Sequence, residues 1–305
     1  MVSINTNICG IKLKNPTILA SGILGVTASS LKRVADSGAG AVTIKSIGPE
    51  KRLGHKNPVV VEVPYGLLNS VGLPTPGPEE AVEELKRAMS MMDIPIIASF
   101  YGRTMSEFKE MAKKISAVNP DFLELNISCP NVEDACGKPF STDPDTAANV
   151  TEIVKNVTEI PLIVKLSPNV SDIKSIAKSV ENAGADAISA INTMPSMKID
   201  IETGKPILSN KTGGLSGPAI KPIAVRCVYE ITSVVEIPVI GIGGITTAED
   251  AIEMMMAGAS AVGIGTAIMY KDLKVFKEIT NGIKNFMKSR RYKRLDEIIR
   301  IAHRE

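Results

Sequence analysis

Cysteine is the residue type in this chain best suited to moving a proton, and one of its four cysteines stands in a segment rich in polar groups: Glu124-Leu-Asn-Ile-Ser-Cys-Pro-Asn131. A strand entering this segment alternates its side chains, which sets Asn126 and Ser128 on one face, and it stops at Pro130. Cys129 therefore falls at the strand's C-terminal end. A lone cysteine is commonly an inert packing residue, so its surroundings decide its role. Here they are amides: Asn69, Asn126, Asn131 and the pair Asn192-Thr193 all fall at expected strand ends or in adjoining loops. Side-chain amides donate and accept, so several converging on one cavity suit a planar ligand with carbonyl, ring N–H and carboxylate edges. Taken singly, each is equally well explained as a turn or cap residue. Lys45 in AVTIK and Lys165 in LIVKL end two apolar runs, where an unmatched charge is costly to bury. Each is expected to meet an anion, the alternative being a lysine that snorkels to the rim. Histidine offers little, since only His55 and His303 are present.

The elements that would position these residues are short Val/Ile/Ala-rich runs separated by amphipathic segments, the pattern of buried parallel strands alternating with helices. Eight are expected: Thr17–Ala20, Ala41–Lys45, Ile94–Ser99, Phe122–Ser128, Pro161–Ser167, Ala187–Asn192, Ile237–Gly244 and Ala261–Thr266. Eight β/α units close into a (β/α)8 barrel. The competing architecture, an open doubly wound sheet, carries its glycine fingerprint after the first strand. In this chain the Gly-rich turns come last, at Gly243-Gly244 and Gly265-Thr266, where phosphate-binding barrels place their anion site. Two Gly/Pro-rich connections, Ser46 to about Pro78 and Thr193 to about Pro218, are too long for simple turns and are expected to serve binding at the barrel's C-terminal face, or to cover its mouth. A third runs from Pro130 to Asp145 and carries Cys136.

Composition narrows the partners. The 305 residues, 44% hydrophobic and 22% charged, are enough for one barrel domain spanning 1–305 with a sizeable core. A net charge of +2, from 35 basic and 33 acidic residues, gives no field favouring nucleic acid or an anionic membrane. The basic stretch 284–300 carries apolar residues at helical spacing and reads as a packed terminal helix, as Met254–Met256 reads as helix packing. No signal-like or membrane-spanning apolar run is present, so a cytoplasmic protein is expected. Cys9, Cys129, Cys136 and Cys227 form no C-x-x-C pair, so no metal or iron–sulfur ligand set is expected in this chain.

Six motifs, in order along almost the whole chain, resemble class 1B dihydroorotate dehydrogenases: ASG at Ala20–Gly22, LNSVGL at Leu68–Leu73, NISCPN at Asn126–Asn131, VKLSPN at Val164–Asn169, GGLSGPAIKP at Gly213–Pro222 and GIGG at Gly241–Gly244. The resemblance implies an FMN-binding barrel that oxidises (S)-dihydroorotate to orotate in de novo pyrimidine (UMP) biosynthesis. It implies Cys129 as the base that takes the C5 proton, with hydride passing from C6 to flavin N5. It places the flavin at Ser21, Lys45, Ser46, Ser99, Asn126, Lys165, Ile191, Gly217, Gly243, Gly244, Gly265 and Thr266, Ser99 standing where related enzymes often carry Asn. Substrate contacts implied are Lys45, Asn69, Ser70, Val71, Gly72, Leu73, Asn126, Asn192 and Thr193. The two lysines then have two anions to meet, the flavin's N1/O2 edge and the substrate carboxylate.

Reduced flavin needs an acceptor that this chain does not encode. The class implies a partner subunit carrying FAD and a [2Fe–2S] cluster that passes electrons to NAD, in a heterotetramer of two catalytic and two electron-transfer chains. Two alternatives stay open: a fumarate-dependent class 1A-type homodimer, and a dihydropyrimidine dehydrogenase acting on a neutral base. Dihydroorotate differs from the latter's substrates by a carboxylate that needs a cation.

Overall fold

In the computed structural model, which describes residues 2–128 and 140–304, the apolar runs pair side by side as parallel strands. The strands are β1 (Thr17–Leu19), β2 (Ala41–Thr43), β3 (Ile96–Phe100), β4 (Phe122–Asn126), β5 (Leu162–Leu166), β6 (Ala187–Ala190), β7 (Val239–Ile242) and β8 (Ala261–Ile264). Consecutive strands are neighbours, and β8 returns to pair β1 through Val262 and Thr17, so the sheet closes on itself. The expected (β/α)8 barrel is the observed one. The ladders stop short of several expected strand ends: β2 ends at Thr43 rather than Lys45 and β4 at Asn126 rather than Ser128. Beyond those points the chain leaves the ladder. Cys129, Pro130, Asn131 and Cys136 lie outside the described residues, as does most of the connection from Pro130 to Asp145.

Helices α1 (Ala28–Asp36), α2 (Pro78–Met91), α3 (Met105–Ser116), α4 (Pro144–Lys155), α5 (Ile173–Asn182), α6 (Lys221–Thr232), α7 (Ala248–Met256) and α8 (Val275–Ser289) surround the strands. Their start points are written in the sequence: Thr27, Thr104, Asp143, Asp172 and Thr247 each accept a backbone N–H of the first turn. The apolar stripe of α8, with Phe276, Ile279, Ile283 and Met287, is buried, but the helix ends at Ser289, so of the basic stretch 284–300 only its first residues are part of the packed helix and the rest runs on as turns. Met254 and Met255 of α7 are likewise buried in the core. Among the described residues no helix is long and apolar enough to cross a membrane.

Side-chain alternation gives the barrel interior two contrasting levels. At the N-terminal ends, Ile18, Ala41, Ile97, Phe122, Ile163, Ala187, Ile240 and Ala261 pack with Ile8 and Leu13. Ile8 and Leu13 belong to a hairpin, Thr6–Ile8 with Ile11–Leu13, that plugs this end and that the apolar-run reading had not identified. Two residues further along their strands stand Thr43, Ser99, Glu124, Lys165 and Ser189, all buried. The sequence therefore fills the lower barrel with apolar groups and reserves the level beneath the C-terminal mouth for polar ones.

The two long connections meet above that mouth. Val60–Val63 and Gly66–Asn69 from the first pair with Gly213–Ser216 and Met194–Ser196 from the second as a four-stranded antiparallel sheet. Asn69 stands opposite Gly214 in this sheet and donates from Nδ2 to the Gly214 carbonyl at 3.2 Å.

Candidate active site

A cavity of about 440 Å³ opens at the C-terminal end of the barrel under this sheet. Its size is within the range of small-molecule sites. Twelve of the sequence-derived candidates line it: Ser21, Asn69, Val71, Lys165, Ile191, Asn192, Thr193, Gly217, Gly243, Gly244, Gly265 and Thr266. They come from β1, β5, β6, β7 and β8 or the turns that follow them, and from the covering sheet. Sequence reading missed Thr246, Ser216 and Met269, which also line it. Ser216 lies inside the GGLSGP motif, and its Oγ accepts a 2.8 Å hydrogen bond from Thr266 Oγ1, a pairing that only the fold reveals.

Other candidates stand behind the wall. Ser46 Oγ lies 3.2 Å from Ser21 Oγ and 2.8 Å from Ser99 Oγ, and Asn126 Nδ2 donates to it at 3.2 Å. Ser99 has no exposed surface and supports Ser46 rather than facing the cavity. Asn126 Oδ1 accepts from the backbone and side chain of Ser128, and Asn192 Nδ2 donates to Ser128 Oγ at 2.8 Å. The residue that precedes Cys129 in the chain is thus buried and held by two amides of the site. Lys45 lies along a separate small cavity with Thr27, Thr75 and Glu84. Ser70 is buried, while Gly72 and Leu73 continue the covering segment beyond Val71.

Lys165 carries the cavity's buried cation. Its side chain is 6% exposed, and its Nζ lies 3.9 Å from Glu124 Oε1, whose side chain is 4% exposed. Glu124 Oε2 accepts from Ser189 Oγ at 3.0 Å, whereas Oε1 has no hydrogen bond among the described residues. At 3.9 Å the lysine–glutamate contact is an ion pair without a hydrogen bond, so the ammonium keeps donor capacity for a ligand. Glu124 had a sequence signal: a charge in an apolar strand, in phase with Asn126.

The opposite wall is backbone. Gly243 has φ +136°, and a Cβ there would stand 2.6 Å from Ala224 Cβ, so only glycine fits. At Gly265 a Cβ would meet nothing nearer than Ala20 Cβ at 3.8 Å, so it would stand in the cavity itself. Main chain therefore reaches the cavity without intervening side chains on this side, an arrangement that suits a phosphate group. The Gly243-Gly244 turn is held from behind by Asp250 of α7. Asp250 Oδ2 accepts from Thr246 N, Thr246 Oγ1 and Thr247 N, each at 2.9 Å, and Oδ1 accepts from Lys221 Nζ at 2.7 Å. Burial pushes this carboxyl up, but Lys221 and the Thr246 donors outweigh it and hold the group below the ordinary carboxylate range.

Phosphate-ready backbone, apolar walls from Ile191, Ile220, Ile242 and Ile245, and a polar edge of Lys165, Asn69, Asn192 and Thr193 fit a phosphorylated flat heterocycle such as FMN. Comparison with known proteins identifies the family. The family model described as dihydroorotate dehydrogenase matches residues 3–287. The chain is 50% identical over 295 residues to a Methanosarcina mazei protein named dihydroorotate dehydrogenase B (NAD(+)), catalytic subunit, covering 96% of this chain and 93% of that one. Proteins of the same name from Methanocaldococcus jannaschii and Pyrococcus abyssi are 49% and 48% identical, each alignment covering 98% of this chain and 98% and 99% of theirs.

Proposed function

Because the chain belongs to the dihydroorotate dehydrogenase family, we propose that it is the catalytic subunit of an NAD-linked class 1B enzyme, oxidising (S)-dihydroorotate to orotate in pyrimidine biosynthesis. The observation that carries this reading is the convergence of Lys165, Asn69, Asn192 and Thr193 with the glycine-lined wall in one barrel-mouth cavity. Residues 1–305 act as one FMN-binding unit in the cytoplasm. FMN, when bound, supplies the two-electron acceptor.

Gly217, Gly243, Gly244, Gly265 and Thr266 would hold its phosphate end, and Ser21, Ile191 and Lys165 its ring. Ser46, Ser99 and Asn126 brace that wall through the hydrogen bonds that join them to Ser21. The ammonium of Lys165 balances negative charge that develops at the ring edge. Substrate is oriented by Asn69, Asn126, Asn192 and Thr193 under the segment 69–73, and the family motif assigns its carboxylate to Lys45, which borders the neighbouring small cavity. Removal of the C5 proton by the Cys129 thiolate, with departure of a hydride from C6, leaves the C5=C6 double bond of orotate. The cysteine's position directly after Ser128 supports this role, since Ser128 is hydrogen-bonded to Asn126 and to Asn192, which lines the cavity.

The relatives' shared name, a catalytic subunit using NAD(+), favours a second subunit over the fumarate-dependent homodimer; in the class 1B reading that subunit carries FAD and a [2Fe–2S] cluster, two of each chain forming a heterotetramer. The base assignment is tested by Cys129→Ala. It is expected to keep its FMN and lose substrate-dependent flavin reduction by about 10²–10⁴-fold, the usual weight of a positioned base. Full reduction rate in that variant would remove Cys129 from the mechanism.

A further inference from the structure

Of the two histidines, His303 stacks on Tyr229 with ring centroids 4.1 Å apart and its Nε2 lies 3.0 Å from both Thr232 Oγ1 and the Ala257 carbonyl, far from the cavity. His55 is placed quite differently. The segment containing it runs antiparallel to residues 71–75: Arg52 and Thr75 exchange both backbone hydrogen bonds, at 2.9 and 3.0 Å, and His55 N donates to the Val71 carbonyl at 3.1 Å. Its ring then reaches one residue further. Nδ1 lies 3.1 Å from the Ser70 carbonyl and 2.9 Å from Ser70 Oγ. Because a carbonyl only accepts, the proton belongs on Nδ1, and His55 donates. The ring also floors Gly72, where a Cβ would stand 2.8 Å from Cδ2 and Cγ.

One side chain therefore contacts Ser70 and Gly72, on either side of Val71, in a segment whose Asn69 and Val71 line the cavity. That segment needs outside support. Gly72 and Leu73 have φ of +79° and +52°, and for leucine this left-handed conformation is held only when its surroundings impose it. Drawing Ser70 back onto the His55 ring turns the side chains that flank it, Asn69 and Val71, toward the cavity.

We propose that His55 is the positioning residue for the substrate-contact segment 69–73, acting through the Nδ1–H donor to Ser70. This rests on the assignment of that segment to substrate. His55 touches no reacting atom, so its loss acts on binding rather than on the chemical step.

The test uses the FMN-loaded full chain and reads orotate affinity, by perturbation of the flavin spectrum, together with kcat and KM for dihydroorotate. His55→Ala is expected to weaken orotate binding and raise KM about tenfold, the worth of one hydrogen bond, with kcat within about threefold of wild type. His55→Asn keeps an N–H donor near the place of Nδ1 and is expected to stay within about twofold of wild type; His55→Gln sets its donor one bond further out and is expected to behave like the alanine variant. The inference is overturned if His55→Ala keeps wild-type KM and orotate affinity, or if His55→Asn falls as far as His55→Gln. A purely structural role would lower thermal stability in all three variants and leave orotate affinity unchanged, which also overturns it. Failure of the underlying substrate assignment looks different: wild-type protein itself would neither bind orotate nor be reduced by dihydroorotate.

Discussion

Gly265 separates folding from ligand binding at a single atom. The protein has room for a Cβ there, its nearest neighbour being Ala20 Cβ at 3.8 Å, but that room is the cavity. Gly265→Ala is expected to keep wild-type thermal stability and lose at least tenfold in FMN affinity, measured by fluorescence titration of the apoprotein; unchanged affinity would move the flavin elsewhere. The cysteines divide in a similar way. Burial, reinforced by the nearby Asp186 carboxylate and only partly opposed by Lys155, pushes the Cys9 thiol up to about 12, and burial pushes Cys227 up as well. Both stay protonated at pH 8, where a thiolate is needed for alkylation. Iodoacetamide at that pH is expected to spare Cys9 and Cys227 in the folded chain, while inactivation tracks labelling of Cys129 and is slowed by orotate; peptide mass analysis reads all four sites. The same residue scale shows where sequence reasoning ends. Cys129 and the amides could be singled out because a polar cluster at an expected strand end is unusual, whereas His55 looked dispensable because its partners, Ser70 to Gly72, are brought to it only by a backbone pairing that no local pattern announces.

At the scale of elements, the barrel strands were legible because a parallel strand buried on both faces must be a continuous apolar run, and the intervening helices announce themselves by caps and amphipathic stripes. The four-stranded cover was not. Its strands are only three or four residues long, and Asn69 pairs with Gly214 across a separation that carries no local signature. The turn after β7 shows how one element steadies the site of another. Asp250, in the first turn of α7, gathers Thr246, Thr247 and Lys221 around one carboxylate. Asp250→Asn is expected to cost about 1.5–3 kcal/mol of stability, the usual range for hydrogen bonds to a charged group, and to weaken FMN binding with it. The pH sign follows from the depressed carboxyl: the contribution is complete above the ordinary aspartate value of 3.8 and is lost as pH falls through the lower folded value. Wild type and variant are therefore expected to converge in stability in strong acid, as chemical denaturation at successive pH values would show. A constant gap would mean that Asp250 does not act through its charge.

The whole molecule assigns opposite tasks to the two ends of one barrel. The N-terminal end is filled by apolar side chains and the hairpin with Ile8 and Leu13; the C-terminal end carries the polar level of Ser99, Glu124, Lys165 and Ser189 and, above it, the cavity. This division explains why the Gly-rich turns after β7 and β8, the lysine of β5 and the amides near β4 and β6 converge although they are spread over most of the chain. It also accounts for Ser46, Ser99 and Asn126, which come from the same motifs and hydrogen-bond to one another behind Ser21: position along a strand fixes the level, and neighbouring bulk decides which side chains at that level line the cavity. The central claim is that this cavity brings dihydroorotate and FMN together. Anaerobic addition of dihydroorotate to the purified, FMN-loaded chain tests it most directly. The account expects the visible flavin band to bleach with one orotate formed per flavin reduced and no bleaching by dihydrouracil; a spectrum unmoved by dihydroorotate, or bleached by dihydrouracil in its place, would contradict it.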